Sequence, residues 1–365
     1  MLSPAIEKVS GAGVAAPAAA TRDGTAPNGT LARTELLRRL EHHADHPSGF
    51  LAMNAGTLHY SVEGVDGFIA YRDDGHCLHQ LCGMLAPACD AAVLLDAFLR
   101  FAHSRKRRVC CVQLRAGQVA LYERYGFVVN QMGRSYSLDV QRFRTAGTPF
   151  MKVRNKIKRA RRAGVEVREL GRDAPFGNAE RSALESITGR WLEGKGEPRL
   201  LEFMVGEIDP VACEQRRIFA AYQESRMIGF ISYTRSYGRF AGWMHDLSRR
   251  ERVVPPGVME LVNSVAIERF RSEGIAWLNF GFTPFCGIDD EHDRAVTRSR
   301  PLSWLLRALE RHGQRLYPAL DQVAYKRKWQ PMVETPEYVA FHGGFRWAHL
   351  LGILQITRSV RGRRR

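Results

Sequence analysis

The sequence has no CxxC pair among its seven cysteines (77, 82, 89, 110, 111, 213 and 286), and their number is odd. Neither a zinc site nor a disulfide framework is suggested, and a reducing cytoplasm is the expected compartment. No stretch reaches the roughly 18 to 20 consecutive apolar residues that span a bilayer, so an integral membrane protein is not expected. Residues 1–33 are rich in Ala, Gly, Pro and Thr but lack a basic start followed by an apolar block; they read as a disordered leader rather than a signal peptide. Acid is also scarce. Asp and Glu number 38 against 54 Lys and Arg, a formal charge of +16, which favours a polyanionic partner such as nucleic acid or an anionic membrane surface.

What is present suffices for two cores: 365 residues, 45% of them apolar. From Gly49 short alternating segments (57–63, 67–72, 76–81) predict an antiparallel meander. Asp90 is expected to cap an apolar-periodic helix (Leu94, Leu95, Phe98, Ala102), followed by a strand at 109–114, a helix ending near Arg124, and a strand from Phe127. A similar order returns in strands at 218–222, 227–234 and 241–246, a helix at 258–271 and a strand at 276–282. Pro301 opens a further helix through Arg311. The chain therefore reads as an α/β (α+β) duplication, with lobes at 34–148 and 171–365 joined by a connector helix and strand at 149–170.

That connector is the most charged part of the sequence. Residues 152–162 hold seven cations (Lys152, Arg154, Lys156, Lys158, Arg159, Arg161, Arg162) and no acid, while Val153, Ile157, Ala160 and Gly164 recur at helical spacing. Such a helix rests its apolar line on the protein and turns positive charge outward, which suits phosphates and predicts salt-dependent binding with little sequence preference. A plain solvated face is the alternative.

Leu121-Tyr122-Glu123-Arg124-Tyr125-Gly126-Phe127 resembles the helix-to-strand junction of GNAT-type acyltransferases. The ordered run of Phe150–Leu170, Asp246-Leu247-Ser248-Arg249, Pro256-Gly257-Val258-Met259-Glu260, Asn279-Phe280-Gly281-Phe282-Thr283-Pro284 and Tyr325-Lys326-Arg327-Lys328-Trp329 is more specific. Together these resemble the catalytic half of the lysyl- and alanyl-phosphatidylglycerol synthases, the DUF2156 family of tandem-GNAT aminoacyl-tRNA transferases, from about residue 49 to the end.

The resemblance implies transfer of an aminoacyl group from charged tRNA to a hydroxyl, with aminoacyl-tRNA as co-substrate and no other cofactor. It implies roles for five candidate catalytic residues. Asp246 would hold the α-ammonium, and Arg249 would contact the terminal adenosine phosphate or orient Asp246. Glu260, expected to face the same crevice, would take the acceptor proton or bind the amino group, although a first-turn glutamate also suits a helix dipole. Lys326 and Lys328 would support an oxyanion or grip the tRNA end. Asn279 and Thr283 would line the pocket. Glu337 stands where lipid-acting members tend to have arginine, and the resemblance covers only their catalytic half, so a multi-span membrane half is not expected. A small hydroxyl or hydroxylamine acceptor in antibiotic biosynthesis is therefore favoured narrowly over phosphatidylglycerol.

Two other classes stay open. An acyl-CoA N-acyltransferase needs a glycine-rich pyrophosphate loop, which neither 83–90 nor 249–258 supplies; a non-catalytic RNA-binding protein needs only the basic helix. No metal site is expected: His42, His43, Asp45 and His46 lack a distant ligand, and Cys110-Cys111 reads as buried strand. The segment 347–356, with the arginines that follow it, would cap the second lobe or lie peripherally on an anionic membrane; the cap is favoured.

Overall fold

The computed structural model describes residues 31–195, 203–207, 215–293, 297–312 and 319–357. The expected leader lies almost wholly outside these residues, as do Cys213 and the last arginines. Of the leader, Leu31 donates its N–H to His59 Nδ1 at 3.1 Å and Arg33 already starts a helix.

The first half runs α1 (Arg33–His43), a 3-10 turn (Pro47–Met53), β1 (Leu58–Tyr60), β2 (Phe68–Asp73), β3 (Cys77–Leu85), α2 (Ala91–Ser104), β4 (Arg108–Arg115), α3 (Ala116–Arg124) and β5 (Phe127–Asp139). Asp90 sits at the N-cap of α2 but makes no side-chain capping bond. The connector follows as α4 (Met151–Arg162) and β6 (Glu166–Glu169). The second half runs α5 (Asn178–Lys195), β7 (Arg216–Gln223), β8 (Arg226–Ser236), β9 (Gly242–Arg250), α6 (Val258–Ser272), β10 (Trp277–Pro284), α7 (Arg300–His312), α8 (Ala319–Arg327) and β11 (Val333–His342); α9 (Trp347–Ile356) closes the described chain.

All eleven strands form one sheet in the order β1-β2-β3-β4-β11-β5-β10-β9-β8-β7-β6. The two halves repeat one plan, for β3 pairs β4 in parallel as β9 pairs β10, each across an intervening helix. The last strands are exchanged. β5 leaves its own half to pair β10, and β11, which the sequence places in the C-terminal lobe, lies between β4 and β5. A shared central pair welds the halves into one sheet.

Alternation sets the two faces of the second half. Phe219, Ala221, Ile231 and Tyr233 share a core with Val153, Ile157 and Ala160 of α4 and with Leu261, Val262 and Phe270 of α6. Ile218, Ala220 and Phe230 point the other way, onto Leu184 and Ile187 of α5. The connector therefore lies on α6 of the second half. Gly257, left-handed at φ 94°, abuts the Lys156 carbonyl so closely that a Cβ there would collide with it.

Candidate active site

In each half the parallel strands diverge at β-bulges, and in the second half the charged residues gather there. β9 and β10 stay in register only from Gly242/Trp277 to Met244/Asn279. Beyond that, β10 bulges at Phe280, and β9 shifts register against β8 because Tyr233 faces His245 while Ser232 faces Leu247. Asp246 is the extra residue. Directly paired residues share a face, so Arg249, opposite Phe230, points to the α5 side. Two residues three apart in a regular strand would face opposite ways; the bulge lets Asp246 and Arg249 share one.

Asp246 meets a partner the sequence reading missed. Arg216, at the start of β7, forms a short ion pair with its carboxylate, the side chains being 1% and 3% exposed. The Arg216 guanidinium also lies over the Phe50 ring, 5.4 Å from its centroid. Gly206 closes the other side, where a Cβ would collide with the Asp246 carboxylate. This roof, residues 203–207, is tied to the first half: Asn54 Nδ2 donates to Val205 O at 2.9 Å, and Ala55 N–H donates to the Glu207 carboxylate. Arg249, expected in a loop, belongs to β9. It stacks over Trp191 at 4.0 Å and donates to Ser248 O at 3.0 Å; Arg216, not Arg249, is the residue bonded to Asp246. Burial lowers the Arg249 pKa to about 10 against the pull of Asp246.

Glu260 occupies the opposite face, so the shared crevice with Asp246 is not what the fold builds. Its carboxylate accepts from Lys156 of α4 at 2.9 Å and from Lys328 at 3.3 Å. Burial pushes the carboxyl up, but the Lys156 ammonium, helped by Lys328, holds it below the ordinary glutamate value. Next to it lie Tyr325 and His245, their rings 5.7 Å apart; burial and the nearby Lys326 charge bring His245 down to about 3, keeping it neutral.

Lys326 is buried. Its ammonium donates to Gly281 O at 2.8 Å, Phe282 O at 3.0 Å and Thr283 Oγ1 at 2.6 Å, at the place where β10 leaves β9. Three acceptors take its three protons, so it secures the β10 bend and has none directed at an oxyanion. Burial brings its pKa down to about 7. Thr283 serves Lys326. Asn279, expected in the pocket, is a cross-link inside the sheet: its oxygen accepts from Ser137 Oγ at 2.6 Å and its amide donates to Ser236 Oγ and Phe240 O.

The connector cations divide. Arg154 donates to Thr145 O and Gly147 O, and Lys156 pairs with Glu260, so both face the protein rather than a ligand. Lys152, Lys158, Arg159, Arg161 and Arg162 are exposed and make no ion pair among the described residues. Glu337 is buried, accepts from Ser135, and lies 3.1 Å from His46 Nε2. Cys77, His79 and Cys110 cluster in the first half with ligand-type atoms within 4.8 Å of one another, a grouping no spacing rule showed. Both His79 ring nitrogens are engaged, with Cys110 Sγ at 3.0 Å and Asp74 at 2.7 Å.

Residues 37–341 match the family described as "Phosphatidylglycerol lysyltransferase, C-terminal". The chain belongs to that family. Curated relatives include the lysylphosphatidylglycerol biosynthesis bifunctional protein LysX of Nocardia farcinica, 27% identical over 201 residues, and the phosphatidylglycerol lysyltransferase of Bacillus subtilis, 24% identical over 199 residues. These alignments cover 55% and 54% of this chain but 18% and 22% of the relatives, so it spans about a fifth of their length. Among solved structures, L-PGS from Bacillus licheniformis superimposes with a TM-score of 0.72 at 18% identity, covering 91% of this chain and 98% of that one. The C-terminal domain of a putative lysylphosphatidylglycerol synthetase from Agrobacterium fabrum gives 0.73 at 18% identity, covering 90% and 98%. At such identity these likenesses establish the α/β fold of this phosphatidylglycerol lysyltransferase-family chain.

Proposed function

We propose that this chain is an aminoacyltransferase that moves an aminoacyl group from charged tRNA to a hydroxyl of a phospholipid headgroup, phosphatidylglycerol. The observation that carries this reading is the pairing of the exposed cations of α4 with the divergence of β9 and β10. The same helix that offers free positive charge sends Lys156 to Glu260 at one side of that opening, and Asp246 stands at the other. The sequence favoured a natural-product acceptor; the family and the relatives' names favour the lipid. Glu337, taken as a sign against a headgroup, is an internal residue bonded to Ser135 and says nothing about an acceptor.

In the reaction the acceptor hydroxyl oxygen attacks the aminoacyl ester carbonyl. The bond to the tRNA ribose oxygen breaks, that oxygen takes a proton, and the acceptor hydroxyl loses one. One ester replaces another, so positioning and proton transfer are what the protein must supply. Asp246 suits the α-ammonium by charge. Glu260, held ionised by two lysines, suits a base or an amino-group ligand. An acyl-CoA reading fits less well, because the Lys156 carbonyl abuts Gly257 at the α6 N-terminus, where a pyrophosphate would lie.

No helix among the described residues is long and apolar enough to cross a membrane. α9 buries His349 and Ile353 against the first half and leaves Trp347 and Leu351 exposed beside Arg346, a face suited to an anionic lipid surface. The test is incubation with tRNA charged with each labelled amino acid and phosphatidylglycerol vesicles. Label entering the lipid is expected; label entering only soluble products, or transfer that needs coenzyme A, would overturn the reading.

A further inference from the structure

We propose that the guanidinium groups of Arg216 and Arg249, flanking Asp246 on the α5 face, bind the phosphodiester of the acceptor headgroup. The proposal rests on the transfer reading above and adds a subsite to it.

The starting observation is an electrostatic imbalance. Arg216 gives Nη1 to Asp246, yet its Nε and Nη2 are buried without a hydrogen-bond partner, and so is Nε of Arg249. A buried guanidinium with unmade hydrogen bonds is strongly disfavoured unless an anion completes it. Two cations and one carboxylate leave a single positive charge, which matches the single negative charge of a phosphodiester. Arginine donors in a planar fork suit its two free oxygens.

Placement favours the acceptor over tRNA as the source of that phosphate. The exposed cations of α4 lie on the opposite, α6 side of the sheet, where Val153 and Ile157 pack with Leu261. The α5-side group is instead framed by Phe50 under Arg216 and Trp191 under Arg249. Asp246 then has two uses: it neutralises Arg216 in the structure described, and it faces the aminoacyl ammonium once a phosphodiester has taken over Arg216. No bond is made or broken at this subsite.

Titration calorimetry with sn-glycero-3-phosphoglycerol, the water-soluble headgroup of phosphatidylglycerol, tests this without catalysis. The full chain should bind the diester and should not bind diglycerol, which lacks the phosphate. Arg216→Gln and Arg249→Gln should each weaken diester binding at least tenfold. Thermal melts identify a variant that has failed to fold, and Arg249→Lys, which keeps the charge but loses the fork, supplies a milder test. In the transfer assay Arg249→Lys should raise the KM for phosphatidylglycerol vesicles and leave that for aminoacyl-tRNA unchanged. Diester binding untouched in folded variants, or a KM change confined to aminoacyl-tRNA, would overturn the subsite. Arginine-dependent diester binding in a protein that transfers nothing would overturn the transferase reading while keeping the phosphodiester site.

Discussion

The two halves fill the same opening differently. In the first half β3 and β4 part where Cys82 and Gly83 take left-handed backbone angles of 61° and 77°. Gln118 of α3 plugs the opening, accepting from Met84 N–H at 3.1 Å and donating to Met84 O at 3.0 Å. In the second half the plug comes from the equivalent connection, but it is Lys326 of α8, and Asp246, Arg216, His245 and Glu260 surround the opening. A neutral side chain that satisfies a neighbouring strand makes a scaffold. Charges held apart on two faces of a sheet leave ionised side chains at the opening instead. The first half thus stands as the frame, and the roof over Asp246 shows its use: Asn54 and Ala55 of the first half hold residues 203–207 in place.

Removing the charge that distinguishes the second half should have the largest effect. Asp246→Asn is expected to lower kcat/KM for aminoacyl transfer by about 100-fold or more, since a misplaced reactive group alone costs that much. Measuring tRNA binding separately checks that the loss lies in transfer; an active Asp246→Asn enzyme would remove Asp246 from the site. Next in size is the charge supply on the α6 side. Changing Lys158, Arg159, Arg161 and Arg162 together to glutamate should weaken tRNA binding by tenfold or more. It should also flatten the plot of log K against log salt by roughly one unit for each phosphate that is no longer neutralised. Filter binding at several salt concentrations reads both, and an unchanged slope would mean that α4 is only a solvated face.

The contrast between halves was partly visible in the residues themselves. Alternating apolar positions gave the strands of both halves, and the cation run with Val153, Ile157 and Ala160 gave α4 and its buried line; Gly164, expected to continue that line, lies past the helix end and is exposed. β11 was not legible because Pro336 breaks the pattern of a central strand. The structure tolerates it because β11 pairs only β5 at that point and takes up β4 from Glu337 onward. The exchange of β5 and β11 leaves no local trace, since either strand suits either partner by composition. The faces of the site were hidden for a sharper reason. One bulged residue reverses the parity of everything after it, so nothing in the order Asp-Leu-Ser-Arg tells that Asp246 and Arg249 look one way and Glu260 the other. Arg216 lies before the strand expected at 218–222, and only its buried contact with Asp246 gives it meaning.

In the first half the plug is expected to matter for stability alone. Gln118→Leu leaves the Met84 N–H and C=O without their partner at a part-buried position, which should cost about 1 to 3 kcal/mol in urea unfolding. Its kcat should stay at the parent value. A fall in kcat without a fall in stability would show that the first opening takes part in the reaction, and the division between frame and site would fail.

The smallest expected effect concerns the matching plug, Lys326, and is one of pH rather than of activity. Burial brings its pKa to about 7, below the ordinary lysine value of 10.5. Between those two values the native protein binds fewer protons than the unfolded chain, so unfolding takes up a proton and stability rises with pH. The gain from pH 7 to 8 amounts to about 1 kcal/mol for a single group with this shift. Lys326→Met removes the group, so the stability difference between parent and variant should grow by that amount over the interval. Gln118→Leu should show no such growth, because an amide does not titrate. Urea melts at the two pH values measure both differences. If the Lys326→Met difference stayed flat, the three acceptors from Gly281, Phe282 and Thr283 would be holding the lysine charged throughout, and the two plugs would differ in charge but not in proton affinity.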